Sequence, residues 1–307
     1  MKITIITATY NSAATLSDTM ESVLRQTHHD IEHIIVDGCS TDGTLSIARS
    51  MEPRYGGRLR IISEPDKGLY DAMNKGLRMA TGDVVGLLNS DDFYTDDHAL
   101  ERIARAFADN EVDAVYGDVH YVHADNPQRS VRYYSSAIFS RSRMRMGFMP
   151  AHPTFYCRTA IYKQYGTFDT SYRVAADFEQ LLRLIYVHRI RTQYLPYDFV
   201  TMRTGGVSTS GWKSHVRIMR DHRRALKANG VPSNILLLSL RYVYKATEVM
   251  AGLLHVGKNR RRCPRMPPRE PAAVVSSRTE NREGGETINA RFRRYIYHRH
   301  TEACHCL

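Results

Sequence analysis

VVGLLNSDD, residues 84–92, runs without a break from an apolar stretch into four polar, turn-forming residues. A short apolar run ended by Asn, Ser and Asp reads as a buried strand that stops in a tight turn. Similar runs precede it. KITIIT (2–7) leads into ATYN, HIIVD (33–37) into GCSTDGT, and LRIIS (59–63) into EPDKG. Between these runs the apolar positions switch to helical spacing. Ala14–Gln26 carries Leu16, Met20, Val23 and Leu24 on one face, with Ser12 as its N-cap. Thr44–Met51 and Leu69–Ala80 follow the same period, the second closed by Gly82. Strand and helix in alternation predict an α/β fold with a Rossmann-like, mostly parallel central sheet flanked by helices. Such sheets take ligands beyond the carboxyl ends of their strands, and each polar run falls at one of those ends.

Past Asp92 the rhythm changes. A helix is predicted over His98–Asn110, a strand over Ala114–Val122, and a basic, irregular stretch from there through Arg145. Pro153–Cys157 reads as a strand, Ala176–Tyr186 as a helix, and Ile235–Val256 as a longer amphipathic helix forming a C-terminal helical extension. From Gly257 the apolar period collapses into RRRCPRMPPREP and SSRTENREGGET, the composition of a disordered tail.

A formal charge of +11 on 307 residues raises the question of nucleic acid. Gly257–Leu307 holds twelve Lys/Arg against five Asp/Glu, so the tail carries +7 and the first 256 residues only +4. That is ordinary for a globular domain, and nucleic acid is not an expected partner. Cys39, Cys157, Cys263, Cys304 and Cys306 are scattered and odd in number, which suits a reducing compartment better than a disulfide framework. The N-terminus lacks the pattern of a signal peptide, and no stretch of about 20 apolar residues spans a bilayer. The expected location is cytoplasmic.

Carboxylates clustered on one tight turn, as in Asn89-Ser90-Asp91-Asp92, are a site for a hard cation that keeps positions open for diphosphate oxygens. Taken alone, the same run is also an Asx turn capping the next helix. Two further turns fall at neighbouring strand ends: Thr7-Ala8-Thr9-Tyr10-Asn11, and Asp37-Gly38-Cys39-Ser40-Thr41-Asp42-Gly43-Thr44. Adjacent ends in a parallel sheet would present Tyr10, Asp37 and Asp91 around one crevice. Neither a GxGxxG after the first strand nor a GxxxxGK[ST] anywhere supplies the cradle of a dinucleotide or P-loop protein.

TATYN (7–11), VDGCSTDGT (36–44), EPDKGLYDAMNKGLRMATGD (64–83) and LLNSDD (87–92) together resemble the family 2 glycosyltransferases, inverting enzymes of the GT-A fold. The likeness continues in order through HPTFYCR (152–158), AADFE (175–179) and GGVS (205–208). It implies a nucleotide-sugar donor, a divalent metal (Mn²⁺ or Mg²⁺) and a glycan or lipid-linked acceptor, as in bacterial surface-polysaccharide and glycolipid enzymes. It also implies roles for residues. Thr7, Ala8 and Tyr10 would line the base pocket, Asp37 would contact the base, and Gly68, Asp71, Asn74, Asn89 and Ser90 would complete the donor site. Asp91 matches the metal-binding Asp of the family's D-x-D motif, with Asp92 beside it and Asn89 at the motif's first position. Met73 stands where many relatives have Arg. Asp177 matches the catalytic base, and His152, Glu179 and Gly206 are candidate donor or acceptor contacts. On this reading residues 1–215 are the catalytic domain, divided into a nucleotide-binding half (1–97) and an acceptor half (98–215). Helices over 216–256 and the tail over 257–307 follow.

Several of these residues have a plainer reading. Asp177 opens a helix, where acidic side chains are favoured by the dipole alone. His152 is equally a packed histidine, and GGVS a surface turn. A nucleotidyltransferase would also pair a nucleotide crevice with an acidic site, but TATYNSAAT offers no basic residue to hold a triphosphate. A non-catalytic nucleotide-sugar-binding relative would be expected to have lost Asp91 or Asp177; both are present. The Ile235–Val256 helix, followed by Lys258, Arg260, Arg261 and Arg262, fits either packing on the domain or a peripheral contact with the inner face of the cytoplasmic membrane.

Overall fold

In the computed structural model, which describes residues 1–109, 111–205 and 211–241, the apolar runs become the centre of a sheet. Strands β1 (Ile3–Thr9), β2 (Ile31–Asp37), β3 (Leu59–Ser63) and β4 (Val84–Leu87) pair in parallel in the order β3-β2-β1-β4. Helices α1 (Leu16–Leu24), α2 (Thr44–Met51) and α3 (Leu69–Met79) connect them. Every residue of β1 and β2 is buried, and alternate side chains serve opposite faces. Ile6, Ile34 and Val36 join Ala72 and Leu77 of α3 in one core layer. Ile5 and Ile35 pack with Leu16, Met20 and Ala48 in the other. Burying each such side chain is worth about 1.5–3 kcal/mol, which is why the pattern holds both helix layers against the sheet.

One polar chain crosses this apolar centre. The Tyr55 hydroxyl donates to the Met20 carbonyl oxygen (3.0 Å), so it accepts from His33 Nδ1 (2.8 Å). His33 Nε2 is then the acceptor for the Thr7 hydroxyl at 3.0 Å. Burial pushes the His33 ring down to about 3, and it stays neutral.

The second half extends the same sheet. β8 (Tyr156–Arg158) lies antiparallel between β4 and β6 (Ala114–His123), which restores the parallel direction. β6 pairs in parallel with β9 (Thr192–Arg203), and the short β5 (Phe93–Tyr94) closes that edge antiparallel to β9. Helices α4 (Ala99–Ala106), α5 (Thr159–Tyr165) and α6 (Ala176–Leu181) are interspersed, and α7 (Gly211–Ala228) follows β9. The expected mostly parallel α/β sheet is therefore present.

Details depart from expectation. The basic stretch after residue 122 is not irregular at its start: β7 (Asn126–Tyr134) forms a hairpin with β6, its side chains largely exposed. The expected Pro153–Cys157 strand begins later, because His152–Thr154 forms a short 3-10 turn with Pro at its start. The Ala176–Tyr186 helix is α-helical only to Leu181 and widens into a π-turn over Leu182–Val187. The helix predicted over His98–Asn110 is shorter, Ala99–Ala106. Of the Ile235–Val256 helix, residues 235–241 are helical and the rest lies outside the described residues, as does the 257–307 tail. Among the described residues no helix is long and apolar enough to cross a membrane.

Candidate functional site

The carboxyl ends of β1, β2 and β4 carry the three polar turns, and hydrogen bonds lace them together. Thr9 and Asp37 are register partners at the ends of β1 and β2. From the β1 turn, Asn11 N donates to Ser40 Oγ (2.8 Å) and Asn11 Oδ1 accepts from Thr41 N (2.9 Å). Towards β4, the Ser12 and Ser90 hydroxyls meet at 2.8 Å, and Thr15 Oγ1 donates to the Ser90 carbonyl at 2.8 Å. Tyr10 projects from this seam, 63% exposed. Gly38 lies beneath it, and a Cβ there would come within 2.4 Å of Asp66 Oδ2 and 3.5 Å of the Tyr10 ring. The hydroxyl of Thr9 is buried at this edge, with no hydrogen-bond partner among the described residues.

Not every expected pocket residue faces the crevice. Asp37 is fully buried, and its carboxylate accepts from Ser40 N (3.0 Å), Ser63 Oγ (2.7 Å) and the Ser40 hydroxyl. Thr7 spends its hydroxyl on His33 inside the sheet. Ala8 is buried, with its side chain in the core layer under α3. Gly68 caps α3 at φ 114°, and Asp71 Oδ2 accepts from Lys67 N at 3.0 Å, holding the turn before that helix. Asn74 is the clearest departure. It is buried, and both ends of its amide are taken by the backbone of Phe168 at 2.9 Å.

The acidic turn divides its two carboxylates. Asp92 points inward, 1% exposed, accepting from Asn89 Nδ2 (2.8 Å) and from Arg203 N (3.3 Å). Burial, together with the neighbouring Asp91, pushes its carboxyl up to about 8. Asp91 is half-buried at the rim, raised by burial and drawn back by Arg203. Arg203, at the end of β9, donates to the Asp91 carbonyl (2.6 Å) and to Asp18 Oδ2 (2.5 Å), and lies 5.0 Å over the Phe93 ring. Sequence reading missed Arg203; its signal was a lone basic residue directly before Thr204-Gly205-Gly206.

Among the described residues no group of three or more His, Cys, Asp or Glu gathers into a metal-holding cluster. What the turn offers is the Asp91 carboxylate at the rim. A donor set of one carboxylate fits a hard cation that takes its other ligands from diphosphate and water.

Asp177 is half-buried in the first turn of α6. Its Oδ1 accepts from Phe178 N (2.8 Å) and lies 3.4 Å from the Tyr70 hydroxyl, whose proton goes to the Val174 carbonyl, while Oδ2 has no partner among the described residues. Burial raises its carboxyl and His152 opposes the rise; burial lowers His152 and Asp177 opposes that fall. The two therefore share one environment. Glu179, two residues on, turns away: it is buried, ion-paired with Arg183 (3.0 Å) and bonded to Asn229 beyond α7 (3.2 Å). That engagement makes Glu179 a brace between α6 and the chain after α7. Gly206 lies outside the described residues.

Residues 4–165 match the family described as glycosyl transferase family 2. Over 192 residues the chain is 35% identical to a PGL/p-HBAD biosynthesis glycosyltransferase of Mycobacterium bovis, covering 62% of this chain and 72% of that protein. An uncharacterised glycosyltransferase of Mycobacterium tuberculosis is 30% identical over 191 residues, covering 60% of this chain and 69% of that protein. The chain belongs to glycosyl transferase family 2. In fold it resembles S. aureus TarS 1-349 in complex with UDP-GlcNAc, with a TM-score of 0.58 at 22% identity, covering 74% of this chain and 66% of that one. It also resembles the mannosyltransferase PcManGT from Pyrobaculum calidifontis in complex with GDP-Man and Mn2+, with a TM-score of 0.53 at 18% identity, covering 82% and 80% of the two chains. These similarities identify a glycosyltransferase of the GT-A type.

Proposed function

We propose that the protein transfers a sugar from a nucleoside diphosphate-sugar, UDP- or GDP-linked, to an acceptor hydroxyl with inversion. The observation that carries this is the state of Asp177, whose Oδ1 is held by Phe178 N beside the Tyr70 hydroxyl while Oδ2 has no partner among the described residues. A carboxylate fixed through one oxygen and raised by burial is suited to accept a proton through the other. The acceptor oxygen attacks the anomeric carbon, its proton passes to Asp177 Oδ2, and the bond to the diphosphate breaks with its electron pair leaving on the nucleoside diphosphate. One displacement inverts the centre. Asp91 would hold a divalent cation, which when bound neutralises charge on the departing diphosphate. Tyr10, exposed above Gly38, would stack on the base.

The relatives named for PGL/p-HBAD biosynthesis favour an acceptor in glycolipid or surface-polysaccharide synthesis. Ile235, Leu236 and Leu240 are exposed on residues 235–241, which supports a peripheral contact with a membrane surface. Binding to anionic vesicles at low salt, lost on changing Leu236 and Leu240 to Glu, is the expected result; no sedimentation of the native protein points to a soluble acceptor. The function itself is tested by screening a panel of UDP- and GDP-sugars for hydrolysis and transfer, with and without Mn²⁺ or Mg²⁺. Turnover of one donor, with the opposite anomeric configuration in the product, is expected. Retained configuration, or no donor turned over in any metal, would sink the proposal.

A further inference from the structure

Phe168 lies on the loop between α5 and α6 and is 4% exposed. Its backbone is clamped at both ends: Asn74 Nδ2 donates to its carbonyl oxygen and its N–H donates to Asn74 Oδ1, each at 2.9 Å. A buried amide that spends both groups on one residue fixes where that residue sits and how it is turned. The ring so fixed stands between two others. Its centroid is 5.5 Å from that of Tyr70, tilted by 32°, and 5.7 Å from that of His152, edge-on at 72°. These are the separations at which aromatic rings attract and hold one another's orientation.

Tyr70 in turn approaches Asp177, and His152 is near enough to feel its charge. The Tyr70 hydroxyl spends its proton on the Val174 carbonyl just before α6 and lies 3.4 Å from Asp177 Oδ1. Tyr70 and Asn74 are four residues apart on α3, so one face of that helix supplies both the anchor for Phe168 and the hydroxyl for Asp177. We propose that Phe168, anchored by Asn74, is a positioning residue for Asp177: its ring wedges Tyr70 against Oδ1 and His152 beside the carboxylate, keeping Oδ2 turned to the acceptor. Phe168 acts only through its neighbours. The assignment rests on the reading of Asp177 as the base.

A double-mutant cycle separates the two ideas. Phe168→Leu keeps an apolar side chain of similar bulk but loses the ring edges. With donor saturating, it should lower kcat about tenfold and leave the Kd for UDP or GDP, measured by calorimetry, within about twofold. The acid limb of its kcat–pH profile should also move, which a merely structural change would not cause. In an Asp177→Asn background, single-turnover rates should change by less than about twofold on adding Phe168→Leu, because the base through which the ring acts is gone. Equal losses in both backgrounds would overturn the positioning role while leaving the base assignment standing. Near-native transfer by Asp177→Asn alone would overturn both. If Phe168→Leu fails to accumulate as folded protein, Tyr70→Phe removes the Oδ1 contact while keeping the ring, and the same non-additivity is required of it.

Discussion

The guanidinium of Arg203 donates to the main-chain carbonyl of Asp91 at 2.6 Å, so the last strand of the sheet holds the turn that ends its fourth. The same side chain reaches Asp18 on α1, and its own N–H meets Asp92. A buried cation among three carboxylates, one of which is raised to about 8, is a balanced cluster only while all its members remain.

Arg203→Leu should destabilise the fold by roughly 2 kcal/mol, since the Asp91 carbonyl and the Asp18 carboxylate each lose a charge-assisted hydrogen bond from a buried guanidinium. Arg203→Lys should recover part of this but not the two-pronged geometry. Urea denaturation measures both; a change below about 1 kcal/mol for the Leu variant would show the cluster to be dispensable.

Asp91→Ala should abolish transfer and weaken the Mn²⁺-dependent binding of nucleoside diphosphate, with binding in EDTA little changed. EDTA should silence the native enzyme and added Mn²⁺ or Mg²⁺ should restore it. Activity that survives chelation would remove Asp91 from any metal role.

Asp177→Asn should bind donor as the native protein does and lose transfer by a factor on the order of a hundred or more. Because burial raises the Asp177 carboxyl, the native kcat should climb with pH through a midpoint above the ordinary carboxylate range. A parallel loss of donor affinity in the variant would make Asp177 a binding residue.

Asp92 gives a pH dependence of stability with a definite sign. Its carboxyl is raised to about 8 in the fold and titrates near 3.9 when unfolded, so between those values the native state binds the extra proton. Stability should therefore fall as pH rises from about 4 to 8, with a slope approaching but not exceeding about 1.4 kcal/mol per pH unit. Asp92→Asn should flatten that slope, since Asn89 can turn its amide to meet the new side chain. Chemical denaturation across that range decides it, and an unchanged slope in the variant would place the titration elsewhere.

The parallel half of the fold was legible because its signal is local. The strands Ile31–Asp37 and Val84–Leu87 are rich in Ile, Val and Leu, are buried along their length and lead into Asn, Asp and Gly, so composition alone marks strand and turn. β9 was not legible. Pro196 sits within it, and in a central strand Pro is disfavoured unless the ladder breaks. It does break there: the β6 register moves from Tyr116–Tyr194 to Asp118–Asp198 across the proline. β7 was hidden by Arg129 and Arg132 on a hairpin that buries little. In the site, the residue types at strand ends could be read, but not which way they point. Asn74 and Asp92 lie in the expected turn and helix, yet partners 94 and 111 residues away turn their side chains inward. Contacts of that sequence separation leave no periodic trace.

The stitch from Arg203 to Asp18 joins one of the earliest helices of the chain to one of its latest strands. The segment matched to the family ends at residue 165, before both Asp177 and Arg203. A protein trimmed to that segment would keep its four parallel strands and the acidic turn, but would lack the clasp that sets the turn and the carboxylate proposed to take the proton. The smallest active fragment must therefore run at least through β9, and donor capture and turnover should be lost together as truncations pass back across residue 203.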